Sequence, residues 1–566
     1  MATAYAGVCL LALVAPFELS QPLVRLPGQS VTNLELALIV ACGAWAIAAL
    51  VRRDVAWWRQ PIAAPWLAVL AAMAAAAALA PGDRANAIHM VGRLGMAFGV
   101  CLIAAQGVTG RARLERVLTL VVLSGAAAAV LAVLEYAGVR AVLHALRAFR
   151  PGISVVGAQM RATGPLQYPT IASMCFEVAF AFAIGLLTAQ LDRGHRLNAA
   201  VLAALALLIA EAIVLTFTRA GMITVATTLA VVGLLRLRRN GWRDPGVAAV
   251  LVMSLGVGVE IVSSRSLDSL RLRATTEEQN AWYRASIRAP SAVALTTGAF
   301  ATVPVTLVNV GRLTWDSSVD PPFRLSYHWL LPDADRVVRY EGLRTAFPAP
   351  VEPGDTVTLQ ARVRAPLDPG RYRLMWDVVQ EGRLWFSTEI GATVITSGAE
   401  VSGAPLEPEQ NREFPPLPRP AERPGRLVLW GAALRMVAAH PLFGVGPDNF
   451  RLMYGTYTGL RRADSRVHSN DMYLEVLAGG GLVGGAAFAW LLWAAAACFR
   501  RAGRAAWGSL GAAPLGIVAA GVAIGVHGLV DSFLSFTPTY ILLGMTVGLA
   551  AACGQSAETY ADAHRV

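Results

Sequence analysis

The sequence contains no lysine: all 48 basic residues are arginine, a usage that fits a GC-rich genome and bears on no chemistry. Charge is scarce as well. Only 15% of the residues are charged against 55% hydrophobic, and mean hydropathy is +0.52, which excludes a soluble multidomain enzyme. The six cysteines, Cys9, Cys42, Cys101, Cys175, Cys498 and Cys553, all lie in apolar segments and none has metal-site spacing, so neither a disulfide nor a zinc site is expected. No basic stretch precedes the first apolar run, and no small-residue cleavage pattern follows Pro16. Residues 4–19 therefore read as a short first span rather than a cleaved signal peptide.

What is present is a succession of apolar runs near 31–50, 62–80, 87–107, 117–135, 166–190, 198–217, 221–237 and 246–263, then 473–499, 511–530 and 537–554. A helix needs about 20 such residues to cross a bilayer. With the first run they predict a polytopic all-α membrane protein of about twelve spans, about nine of them in residues 1–264 and about three in 473–566, with both termini on one side. The formal charge of +11 would suggest nucleic acid in a soluble protein, but much of the arginine sits in short loops between spans. Nucleic-acid binding is not expected.

Arg52, Arg53 and Arg59; Arg111, Arg113 and Arg116; Arg193 and Arg196; Arg236, Arg238, Arg239 and Arg243; and Arg500, Arg501 and Arg504 fall in alternate loops of one parity, which predicts that those loops are cytoplasmic. The opposite loops hold mostly single arginines, Arg25, Arg84 and Arg219, and include the large insertion. The insertion is thus expected on the outer side of the membrane, periplasmic or extracytoplasmic. One outer loop breaks the rule with Arg140, Arg147, Arg150 and Arg161. It reads either as an amphipathic segment on the membrane surface, with Leu143, Leu146 and Phe149 down, or as a set of cations facing an anionic substrate.

Within the insertion (265–400) the period changes. VPVTLVN, FRLSYHWL, DTVTLQARV and YRLMWDVV alternate apolar and polar residues between turn signals, predicting a small antiparallel β-sandwich of immunoglobulin-like character over about 290–396. Trp315, Trp329, Trp376 and Trp385 are read as core, with stacking on sugars as the other possibility. Residues 401–425 form a proline-rich tether, and 426–472 lead into the tenth span.

That last stretch reads RLVLWGAALRMVAAHPLFGVGPDNF and then HSNDMYLEVLAGGGLVGG. It resembles the signature region of the O-antigen ligase and O-antigen polymerase superfamily of bacterial membrane glycosyltransferases. The likeness lies in the His-Pro-Leu-x-Gly-x-Gly turn (His440, Pro441, Leu442, Gly444, Gly446) and the later His that opens a Tyr-Leu-Glu helix. RATGPLQYPTIASM (161–174), LTFTRAG (215–221) and HGLVDSF (527–533) are similar to further family segments. The β-sandwich lies outside the resemblance and reads as an added module.

The resemblance implies a C-type glycosyltransferase that moves a glycan from a polyprenyl (undecaprenyl) diphosphate to an acceptor hydroxyl. The acceptor would be lipid A-core, a growing glycan or another hydroxyl, with membrane lipids and polysaccharide assembly proteins as neighbours. His468 is the candidate catalytic base, since histidine takes a proton near neutral pH. Arg219, Arg161 and Arg93 are the candidate diphosphate contacts, able to stabilise leaving-group charge without metal or other cofactor. Each has a plainer reading: a loop charge for Arg219 and Arg161, and snorkelling to the interface for Arg93. His527 and Asp531 share a helix face and either orient His468 or form a structural pair. Asp464, Asn470 and Asp471 neighbour His468, and either fix its tautomer or, for the last two, cap the next helix.

Other classes stay open. A protein O-oligosaccharyltransferase would use the same donor chemistry. Glu177 and Glu211, inside the sixth and seventh spans, would suit a secondary transporter, although no internal repeat accompanies them. A non-enzymatic scaffold of a polysaccharide export system is the third.

Overall fold

A computed structural model describes residues 2–26, 29–52, 56–150, 154–156, 159–263, 282–319, 321–382, 384–388, 392–407, 412–418, 424–460 and 463–563. The start of the insertion (265–281), parts of the proline-rich tether (408–411 and 419–423) and Arg53 lie outside them. The chain divides into a helical unit, mainly 1–155, 159–275 and 424–566, and a β unit, mainly 276–423.

The helical unit contains α1 (Ala2–Val14), α2 (Asn33–Val51), α3 (Ala63–Ala78), α4 (Arg84–Gly107), α5 (Gly110–Tyr136), α6 (Arg140–Leu146), α7 (Pro169–Asp192), α8 (Arg196–Leu215), α9 (Arg219–Asn240) and α10 (Pro245–Ser263). After the β unit come α11 (Arg426–Ala439), α12 (Phe450–Thr458), α13 (Met472–Ala505), α14 (Pro514–His527) and α15 (Thr537–Ala563). Every apolar run expected to span is a helix. Among the described residues nine of them, α2, α4, α5, α7, α8, α9, α10, α13 and α15, are long and apolar enough to cross a membrane. The other three, α1, α3 and α14, have 13, 16 and 14 residues, short of the roughly 20 a straight crossing requires.

Local chemistry sets the helix ends. Thr32 and Glu35 form a reciprocal capping box on α2, Asp83 caps α4, and Pro169 and Pro514 occupy the first turns of α7 and α14, where a missing N–H costs nothing. α7 and α15 are the interior helices: the apolar window of each is 94% buried, against 17% for that of α2. Small residues permit the close packing of α7, since a Cβ on Gly185 would lie 2.6 Å from the backbone nitrogen of Gly516 in α14. At the C-terminal end of α9, Arg236 is fully buried between Asp192 and Asp244, both accepting at 2.6 Å.

Two short strand pairs lie between helices, β1 (Val24–Leu26) with β2 (Gln29–Val31) and β3 (Ser154–Val156) with β4 (Gln159–Arg161), and the β unit is two sheets on a common core. One orders its strands β10 (Thr345–Ala346), β8 (Phe323–Leu330), β12 (Gly370–Gln380), β14 (Ile395–Ser402) and β6 (Ala292–Thr296), with β9 (Val337–Arg339) and β13 (Leu384–Trp385) attached. The other is β11 (Thr356–Arg364), β7 (Phe300–Asn309) and β5 (Ala285–Arg288). Alternating residues Val303, Val305 and Leu307 of β7 meet Leu325, Tyr327 and Trp329 of β8 and Leu374 and Trp376 of β12. Two expectations are corrected. The sandwich is not wholly antiparallel, because β14 pairs β6 in parallel. Trp315, Trp329 and Trp376 are core, but Trp385 lies half-buried between His328 and Arg344, whose guanidinium stands 4.7 Å from its ring centre.

Candidate active site

Among the described residues, the non-glycine residues with positive φ are Phe217 (50°), Asp448 (63°) and Asn470 (54°). They fall in three different family-like segments: LTFTRAG, HPLFGVGPDNF and HSND. Left-handed backbone at such residues costs energy and persists where the surroundings enforce it, which marks these three turns together.

The first turn joins α8 to α9. Arg161 spans it, donating from Nε to the Thr216 carbonyl (2.8 Å) and from Nη2 to Thr218 Oγ1 (3.2 Å), while the Ala162 N–H bonds the Leu215 carbonyl. Arg161 thereby holds the turn that presents Arg219, the first residue of α9. The RATG segment is itself anchored by Glu135, which accepts from the N–H of Thr163 (3.1 Å) and Gly164 (2.7 Å) and pairs with Arg150. Glu135 and Arg150 are both buried, so Arg150 is a structural counter-ion. Arg140 and Arg147 are exposed and Leu146 is buried, as in the surface-helix reading of that loop.

The glycine turn after α11 docks into a break in α13. Gly481 leaves the helical conformation (φ 61°, ψ −161°), and the N–H groups of Val445 and Gly446 bond the carbonyls of Ala478 and Gly479 at 2.9 and 3.0 Å. Across the break, Leu482 and Val483 donate to the carbonyls of Pro441 and Leu442. A Cβ on Gly444 would sit 2.2 Å from the Ala478 carbonyl oxygen, so only glycine fits. The turn delivers Asp448, which accepts from Arg451 Nε (2.9 Å), and Arg451 also reaches Asn86 of α4.

His468 lies in the loop before α13. Its Nδ1 is 3.4 Å from Glu475 Oε1 and 3.8 Å from Asp448 Oδ1. Ionised carboxylates only accept, so Nδ1 carries a proton, and in the neutral form of the ring Nε2 presents its lone pair. Burial pushes the imidazole pKa down, but Glu475, Asp448 and Asp531 together hold it above the ordinary histidine value. The Ser469 N–H fixes the other Glu475 oxygen at 2.9 Å.

Asp471 caps α13, accepting from Tyr473 and Leu474 at 2.9 and 2.8 Å, and Asn470 supplies the left-handed turn before it. Asp464 pairs with Arg466 instead of His468. His527 does not pair with Asp531 side chain to side chain. Its Nδ1 meets Glu177 Oε2 at 2.8 Å, while Asp531 accepts from the Ser532 N–H. Arg93, half-buried, places Nη1 3.4 Å from the Ser535 carbonyl.

Glu475, Asp448 and Glu135 are the residues that sequence reading did not pick out. Glu475 did carry a signal, as the Glu of the Tyr-Leu-Glu helix that follows His468, but its contact with that histidine was not read from it. Ligand atoms of Asp448, His468 and Glu475 lie within 4.8 Å of one another, a His/carboxylate grouping that could hold a metal ion.

The helical unit thus carries buttressed arginines at one turn and a histidine flanked by carboxylates at another. Residues 418–489, which include the glycine turn, His468 and the first half of α13, match the family described as O-antigen ligase. The chain is thus a multi-pass membrane protein that is similar to the O-antigen ligase family over this stretch. No curated protein matches it.

Proposed function

We propose that the protein transfers a glycan from a polyprenyl diphosphate to an acceptor hydroxyl at the periplasmic face of the inner membrane, ligating or polymerising a surface polysaccharide. The observation that carries this is His468, with Nδ1 on Glu475 and Nε2 directed away from that carboxylate. In the reaction the acceptor oxygen bonds the sugar's anomeric carbon as its proton passes to Nε2. The bond from that carbon to the diphosphate breaks, and its electron pair leaves on the phosphate oxygen. Arg219, braced by Arg161, neutralises that charge through the planar fork that suits phosphate oxygens. Arg93 is a further diphosphate contact in this reading, and the sandwich is an accessory module.

A second reading is favoured by the clustering of Asp448, His468 and Glu475, namely that a divalent cation bound there supports the transfer. The test is transfer from purified polyprenyl-diphosphate glycan in excess chelator, comparing wild type with His468→Ala and Arg219→Ala. Activity that survives chelation and is lost in both variants supports the first reading. Abolition by chelator supports the second, and full activity in His468→Ala overturns the first. Reporter fusions after Arg113 and Arg239 should read cytoplasmic and those in the sandwich periplasmic; a cytoplasmic sandwich removes the mechanism.

A further inference from the structure

A buried polar line joins the helix of Arg219 to the loop of His468. Glu177, in the interior helix α7, is fully buried, and its Oε2 accepts from two sides: Thr224 Oγ1 at 2.7 Å and His527 Nδ1 at 2.8 Å. Thr224 stands five residues after Arg219 on α9, little more than one turn along. His527 ends α14, and the next carbonyl, that of Gly528, accepts the Met472 N–H at 2.7 Å. The Tyr473 hydroxyl bonds the Gly525 carbonyl at 2.8 Å. Met472 and Tyr473 open α13 directly after the His468 loop. α9 also rests hard on α7, because a Cβ on Gly221 would fall 2.1 Å from Ser173 Oγ.

Burying a carboxylate and an imidazole this deep is costly unless each is hydrogen-bonded, and breaking one partner leaves the other uncompensated. The pair accordingly ties α7, α9 and α14 to one another, since loss of either partner leaves the other buried and uncompensated. Given that Arg219 and His468 carry the transfer, we infer that Glu177 and His527 are positioning residues that set the separation between them. In-line displacement needs the leaving diphosphate and the attacking hydroxyl held at once, and a shift of about 1 Å costs on the order of 100-fold.

The experiment uses the full chain in lipid nanodiscs with purified polyprenyl-diphosphate glycan. Glu177→Ala and His527→Ala should each lower kcat by roughly 100-fold with the donor KM held within about twofold. The double variant should lose no more than Glu177→Ala, which already breaks the contact with His527 along with that to Thr224. Glu177→Gln retains an acceptor oxygen and should recover part of the rate. An unchanged kcat, additive losses or a loss carried in KM would overturn the assignment. If the alanine variants fail to fold, the kcat of Glu177→Gln and His527→Gln decides: wild-type values reject the clamp and reduced kcat at normal KM supports it. Arg219→Ala and His468→Ala run in parallel. Full activity in those two rejects the mechanism and the clamp together, whereas their inactivity beside wild-type rates in the Glu177 and His527 variants rejects the clamp alone.

Discussion

His468 and His527 both set Nδ1 against a glutamate, at 3.4 and 2.8 Å, yet they stand in opposite surroundings. The His468 side chain is 20% exposed and lies in a loop; that of His527 is 0% exposed, with Nε2 sealed from solvent among helices. His328 of the β unit is a third case, with Nε2 3.2 Å from Asp377 and Nδ1 against the Tyr340 carbonyl, so both nitrogens are occupied. In the proposed mechanism the same imidazole and carboxylate make a base where one nitrogen is reachable and a strut where neither is, and in the β unit a core hydrogen bond where both are used.

The sharpest way to break this comparison is to remove the reachable imidazole. His468→Ala should lower the transfer rate by roughly two to four orders of magnitude, measured under saturating donor, which exceeds the loss expected for His527→Ala. A deeper loss in His527→Ala would reverse the assignment. Next in size, Arg219→Ala should cost about 100-fold to 1,000-fold in kcat/KM, with Lys at 219 restoring only part of it, because a point charge does not reproduce a bidentate phosphate contact. Equal activity of Arg219→Lys and wild type would show that simple charge suffices.

Gly444→Ala addresses the scaffold that carries Asp448 to His468. A Cβ at φ +63° and 2.2 Å from a carbonyl oxygen should destabilise the turn by about 1–3 kcal/mol, read as a lower melting temperature of the detergent-solubilised protein. An unchanged melting temperature would mean that the turn is free to move away from α13.

Much of this was legible in the sequence. Apolar runs placed the membrane helices, because hydropathy over about 20 residues is a local property. Alternation placed the strands, and the glycines of HPLFGVG and LAGGG marked a close backbone approach, although not that the two motifs meet. The ion pairs were not legible. Glu177 and His527 lie 350 positions apart, and Arg150 answers Glu135 across the turn between two helices, so their pairing depends on which helix faces meet. The parallel β14–β6 pair was hidden for a similar reason, since alternation fixes the face of a strand but not its neighbour.

The smallest effect sharpens the role of Glu475. Burial lowers the His468 pKa and the surrounding carboxylates more than restore it, leaving it raised, so a rate that needs neutral imidazole grows as pH climbs through that raised value. Glu475→Gln removes one of those negative charges. Its acid limb in a plot of kcat against pH should move to lower pH, with a plateau reduced about tenfold by weaker orientation. A limb that stays in place or moves to higher pH would separate Glu475 from the titrating group.

The central claim, that the His468 imidazole takes the acceptor's proton, is tested most directly by chemical rescue. His468→Gly and His527→Gly would be assayed for transfer with increasing free imidazole at pH 8. The account predicts that imidazole restores a saturable part of the activity of His468→Gly, where the side chain is reachable, and none in His527→Gly, where it is sealed. Rescue of His527→Gly alone, or wild-type transfer by His468→Gly without imidazole, would contradict it.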